Sequence, residues 1–168
     1  MMQVMLAALF LFANVMCINA GTNFDATWTK TCPNGQSIYH VSSVHSNPHE
    51  DRSWTFLCRP DSKITTTCQW SGFVNSYDQK VVYQCPNGVI TGVHSTHSNE
   101  AEDRRFSFRC CNTQSNCARD CVWSGYVNNF DGYLNYVVPS GSFLTGAQSF
   151  HDNGNEDRRW EFLACKRG

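Results

Sequence analysis

The chain has 168 residues, a formal net charge of −1, 41% hydrophobic residues and ten cysteines. A charge so near zero gives a nucleic-acid partner no electrostatic support, and the length bounds the chain to one domain able to bury a core. Cysteines at this density belong to the disulfides of an exported protein.

Val4 to Val15 is apolar apart from Asn14, and no charged side chain occurs before Asp25. Such a run falls short of the about 20 residues that span a bilayer. Small Ala20 and Gly21 follow shortly after it, so residues 1–20 read as a signal peptide cleaved near Ala20. The mature domain, 21–168, is expected to be secreted, with no membrane insertion.

From Phe24 onward the chain repeats. Asp25, Asp78 and Asp131 stand 53 residues apart, each after an aromatic: Phe24, Tyr77 and Phe130. Turn signals come next: Cys32-Pro33-Asn34-Gly35, Cys85-Pro86-Asn87-Gly88 and Val138-Pro139-Ser140-Gly141. Each turn leads into a β-rich run, then into H-[SD]-N-x-x-E-D-R-x-[WF]-x-F at His45–Phe56, His97–Phe108 and His151–Phe162. The end of that motif alternates with period two, as a strand does. Trp54, Phe56 and Cys58 share one face, as do Phe106, Phe108 and Cys110, and Trp160, Phe162 and Ala164; Cys111 and Cys165 point the other way. A further element, C-x-W-S-G-[FY]-V-N, starts at Cys68 and at Cys121, and its third copy is expected about ten residues after Cys165, beyond Gly168. Outside residues 1–20 no stretch has helical period.

Units of about 21–67, 68–120 and 121–168, each offering roughly four short strands, make one unit used several times. The expectation is an all-β, disulfide-rich single domain of pseudo-threefold symmetry. It would be β-trefoil-like, or alternatively a three-sheet β-prism.

Two sets of residues recur. Asp51-Arg52, Asp103-Arg104 and Asp157-Arg158, with Trp54, Phe106 and Trp160, read as a structural motif: the Asp bonding loop amides, the Arg covering an aromatic ring. His45, Asn47 and Glu50, His97, Asn99 and Glu102, and His151, Asn153 and Glu156 form the candidate ligand-binding set, because His, Asn and Glu on one loop can hydrogen-bond sugar hydroxyls or hold a cation. A solvated turn is the plainer reading of the same residues. No Asp-x-Asp-x-Asn-Gly loop occurs, so no metal and no cofactor are expected. Catalysis needs one asymmetric constellation. Residues present in triplicate suit multivalent binding instead, so no enzyme is expected.

The D-R-x-W-x-F-x-C strands, the adjacent Cys110-Cys111 and the C-x5-C-x3-C-x-W run from Cys111 resemble the dermatopontin family, nearest its invertebrate haemagglutinin and amebocyte aggregation factor branch. The resemblance covers essentially all of 21–168. It implies a secreted, non-enzymatic protein of extracellular matrix or body fluid, acting in cell adhesion or agglutination. Its partners would be matrix components, cell-surface glycans or glycosaminoglycans. Organising collagen fibrils by protein–protein contacts is the alternative. The repeat pairs Cys32 with Cys58. Strict symmetry would pair Cys85 with Cys110 and Cys68 with Cys111, whereas the resemblance implies Cys68–Cys110 and Cys85–Cys111, which is the expectation adopted. Cys121 then pairs with Cys165, and Cys117 stays free, able to link a dimer.

Overall fold

The computed structural model describes residues 21–114 and 119–167. The expected signal peptide and the expected free thiol of Cys117 both lie outside the described residues. Within these bounds the chain is all strand, with no helix. Three long hairpins form its frame: β2 (Gln36–Ser46) with β3 (Asp51–Pro60), β6 (Val89–Ser98) with β7 (Asp103–Thr113), and β10 (Ser142–Asp152) with β11 (Asp157–Lys166). Each contains one copy of the H-x-N-x-x-E-D-R motif, and the loop of that motif is the hairpin's turn. Four short strands precede or flank them: β1 (Trp28–Thr31), β5 (Val81–Gln84), β8 (Arg119–Trp123) and β9 (Leu134–Val137); β4 (Ile64–Phe73) is longer.

The strands β1, β5 and β9 do not pair with the hairpins nearest them in the chain. β1 joins β6, β5 joins β10, and β9 returns to β2. Each stretch of chain thus donates a strand to its neighbour's sheet, and the last donation goes back to the first hairpin. The sheets run β1-β6-β7-β4, β5-β10-β11-β8 and β3-β2-β9. The donated strand comes close at the bulge in the receiving hairpin. A Cβ on Gly146 would sit 2.7 Å from the Tyr83 carbonyl oxygen, and one on Gly92 would sit 3.0 Å from that of Lys30. Neither position has room for a side chain without a shift.

Trp54, Phe106 and Trp160, one from each hairpin, meet edge-to-face at the centre. Their centroids are 4.9–6.0 Å apart and their planes 77–82° from one another. Burying a ring of this size contributes about 1.5–3 kcal/mol, and an edge-to-face pair roughly 0.5–1.5 kcal/mol more. Phe56, Phe108 and Phe162 extend the same apolar face.

Two expectations are corrected by the strand pairing. The bridges are Cys32–Cys58, Cys85–Cys110, Cys68–Cys111 and Cys121–Cys165. The crossed pairs Cys68–Cys110 and Cys85–Cys111 do not form. The reason is the alternation of β7. Cys110 faces the central core beside Cys85, while Cys111 faces the other way and stands directly opposite Cys68 in the β4–β7 register. Nor does the outward face of Cys111 reach solvent, since it is buried with Ile64, Val89 and Phe143 in a second, smaller cluster. The C-x-W-S-G strand is also placed differently. β4 pairs β7 and β8 pairs β11, each the hairpin that comes later in the chain. The hairpin lacking such a strand among the described residues is therefore β2–β3. In chain order its partner would precede β1 rather than come after Cys165. Gly21 and Thr22 fill part of that place. The Thr22 amide donates to the Trp54 carbonyl at 2.9 Å, and the Trp54 amide donates to Thr22 Oγ1 at 2.9 Å. Asn75 and Asn128 accept the corresponding Phe106 and Trp160 amides, each at 2.9 Å.

Candidate functional site

The return strand of each hairpin begins with Asp-Arg. Neighbouring residues of a strand point to opposite sides, so the two side chains reach different hairpins. Arg104 grips Asp51 through Nε and Nη2 at 2.5 and 2.7 Å, Arg158 grips Asp103 at 2.6 and 2.6 Å, and Arg52 grips Asp157 at 2.6 and 2.6 Å. The three bidentate pairs close a ring in which every hairpin gives its Arg to one neighbour and its Asp to the other. All six side chains are 2–4% exposed. Each Asp also accepts a loop amide, from Asp25, Asp78 or Asp131, at 2.8–2.9 Å. Each Arg donates in addition to a carbonyl of that loop: Ala26, Gln79 or Gly132. The Asp side thus bonds loop amides as the sequence suggested. The Arg side does something the sequence did not suggest, holding a carboxylate of the next hairpin; Arg104 additionally lies over Trp28, 5.6 Å from its centroid.

The candidate ligand residues lie at three depths around this ring. Asn47, Asn99 and Asn153 are exposed at the hairpin turns. Glu50, Glu102 and Glu156 are half-buried, each at a left-handed φ of 41–44°, and line one cavity of about 20 Å³ with the Asp-Arg pairs and the three central rings. That is room for a single water. Burial pushes the Glu156 carboxyl above its ordinary range; the charges of Glu50, Asp78 and Glu102 push the same way, and His151 opposes them. The histidines lie deepest. Opposite Arg52, Arg104 and Arg158 in the hairpin registers, His45, His97 and His151 have side chains only 0–1% exposed. Direct contact between these imidazoles and a sugar, as the sequence suggested, is blocked by the packing around them.

Sequence reasoning passes over two features. Asp25, Asp78 and Asp131 are visible as repeat markers, but not as partners of the histidines. In the fold Asp131 is 3.3 Å from His45, Asp78 is 3.4 Å from His151 and Asp25 is 3.9 Å from His97. The available signal is their fixed spacing, and they share a left-handed φ of 57–61°. The second feature is an open groove of about 500 Å³ beside Asp78, lined by Lys80, Tyr126, Gln148 and Phe150. Tyr126 is 50% exposed, and Arg159 lies over its ring at 4.0 Å. An aromatic face flanked by long polar side chains is a surface on which a sugar ring can stack and hydrogen-bond.

Residues 22–168 match the family model described as Dermatopontin. The chain is 40% identical over 162 residues to the hemagglutinin/amebocyte aggregation factor of Limulus polyphemus, covering 94% of each chain. It is 45% identical over 136 residues to the dermatopontin of Biomphalaria glabrata, covering 80% of this chain and 91% of that one. Millepora cytotoxin-1 of Millepora dichotoma is 35% identical over 143 residues, with 84% and 64% covered. No solved structure gives a significant match.

Proposed function

The chain belongs to the dermatopontin family, and we propose on that footing that it is a secreted, non-enzymatic adhesion or agglutination protein working by multivalent contact with glycans or matrix polymers. The observation that carries this reading is that Glu50, Glu102 and Glu156 of the three hairpin loops line one small cavity, while Asn47, Asn99 and Asn153 of the same loops are exposed. We read the three sheets as one body of pseudo-threefold symmetry, nearer a three-sheet prism than a trefoil. Three similar loops held on such a body let weak contacts add through effective concentration. The name of the Limulus relative, a hemagglutinin and aggregation factor, agrees with such a role. A disulfide-linked dimer through Cys117 would double the valency.

The test replaces Asn47, Asn99 and Asn153 together by Ala. Loss of agglutination with an unchanged melting temperature is expected; full agglutination by the triple variant would remove these loops from the binding surface. Free sugars or heparin should compete with the wild-type protein. If they do not, and collagen turbidity curves respond to the protein instead, the matrix-organising alternative takes its place.

A further inference from the structure

We propose that the chain carries three corresponding divalent-cation sites, one at each junction between hairpins, of a composition suited to zinc. The sites are His45 with Asp131 and Asp157, His97 with Asp25 and Asp51, and His151 with Asp78 and Asp103. In each set one donor atom per residue lies within 4.8 Å of the others. Each set is built by two parts of the chain: the histidine from one hairpin, and both aspartates from the neighbouring unit. This is why no linear motif announces them.

The histidines point to a ligand rather than to plain packing. Among the described residues, both ring nitrogens of His45 and of His151, and Nε2 of His97, have no hydrogen-bond partner, although these side chains are 0–1% exposed. A buried polar group without a partner is costly, and it recurs in all three copies. The distances fit the same reading. His45 Nδ1 is 3.3 Å from Asp131 Oδ1, and His151 Nδ1 is 3.4 Å from Asp78 Oδ1, yet neither contact has hydrogen-bond geometry. At the second site His97 Nδ1, 3.9 Å from Asp25 Oδ1, is hydrogen-bonded to Asn99 Oδ1 at 3.1 Å, which leaves Nε2 as its unpartnered nitrogen. Around an ion with bonds of about 2.0–2.2 Å, neighbouring ligand atoms stand roughly 3–3.5 Å apart.

The inner carboxylate keeps capacity for an ion. Asp51, Asp103 and Asp157 each accept two guanidinium bonds and one amide bond. A carboxylate offers about four lone-pair positions, so one remains. At the third site His151 Nε2 lies 3.7 Å from Glu156, the kind of outer carboxylate that fixes the tautomer of a metal-bound imidazole. At the second, His49 Nδ1 also reaches Asp25, at 2.9 Å. An imidazole nitrogen with carboxylate oxygens suits zinc and is foreign to calcium, which takes oxygen ligands. Asp25, Asp78 and Asp131 are 33–41% exposed, so each site opens outward. This proposal stands whether or not the loops bind glycans.

The experiment uses the secreted protein, stripped with chelator and titrated with zinc by calorimetry, with stoichiometry checked by elemental analysis and the ligand set by zinc-edge X-ray absorption. Three zinc ions per chain are expected, bonded to nitrogen and oxygen, with no comparable uptake of calcium. Asp131→Asn should lower the count to two. Asp25→Asn, Asp78→Asn and Asp131→Asn together should bring it close to zero. Asparagine tolerates the left-handed backbone at these positions, and circular dichroism verifies folding. If the triple variant does not fold, the single variant decides alone. The proposal is overturned by absent zinc uptake, by calcium binding as well as zinc, or by a count that the aspartate variants leave unchanged; the last result would assign the metal to surface histidines such as His40 and His94.

Discussion

The two ends of the hairpins treat the repeat differently. At the turn end, all three copies keep the same Asp, Arg, His, Glu and Asn. At the far end they diverge. Cys32–Cys58 and Cys85–Cys110 correspond to Val138 and Ala164 in the third copy, which has no such bridge. Cys68–Cys111 and Cys121–Cys165 tie down β4 and β8; in the first copy Arg59 takes the matching position on β3, and no fourth strand is present among the described residues. In the third copy the two cysteines of the first bridge are missing together, as a pair. The physical difference is who the partner is. A disulfide here joins two residues of one unit, so a unit can replace both without consulting its neighbours. An Asp-Arg pair joins two units, so a change in one copy strands a charge in another.

The sharpest way to break this contrast is Arg104→Ala. It leaves Asp51 buried with its cation gone, and removing one partner of a buried ion pair costs about 3–5 kcal/mol. Urea denaturation should show that loss, and adding Asp51→Ala should recover part of it. A loss below about 1 kcal/mol, or strictly additive single changes, would mean that the ring does not interlock the three hairpins.

A smaller effect is expected at the other end. Cys32→Val with Cys58→Ala copies the third unit's own solution into the first. Closing a loop of this length contributes about 2–4 kcal/mol, and the Val138–Ala164 pair shows that the site packs without sulfur. The expected loss lies in the lower half of that range, with the fold kept. Failure to fold would contradict the view that this end is free to vary unit by unit. Phe56 and Cys58 are only half-buried where Phe108 and Cys110 are buried, in keeping with the open edge of β3.

This contrast also explains what can be read from the sequence. Strand alternation, the turns and the three units are legible because they are local patterns. The correct bridge set is legible too, in the joint absence of paired cysteines between copies, but the crossed pattern implied by the resemblance overrides that signal. The Asp-Arg ring and the His-Asp contacts are not legible. Arg104 and Asp51 are 53 residues apart, and nothing within one copy says that its Arg serves another copy's Asp. Burial of the histidines is hidden for a related reason: a His-Ser-Asn turn looks solvated until the neighbouring unit's aspartate loop is packed over it.

The smallest effect tests whether copies equal in sequence are also equal in energy. Glu156 sits half-buried, and its carboxyl is raised by burial first and by nearby carboxylates second. The folded state therefore holds this proton more tightly than the unfolded chain does. For an acid shifted in that direction the stabilising contribution is fully present below the unfolded value, about 4.3, and is lost as pH rises through the folded value. Glu156→Gln keeps the shape and removes the titration. In chelator, the stability of variant and wild type should coincide near pH 4. The variant should gain as pH rises towards 7, by no more than about 1 kcal/mol, as befits a partly exposed site. A variant that is less stable at pH 7 would show that the ionised carboxylate is held by a favourable partner outweighing both burial and repulsion, with His151 at 3.7 Å the first to examine.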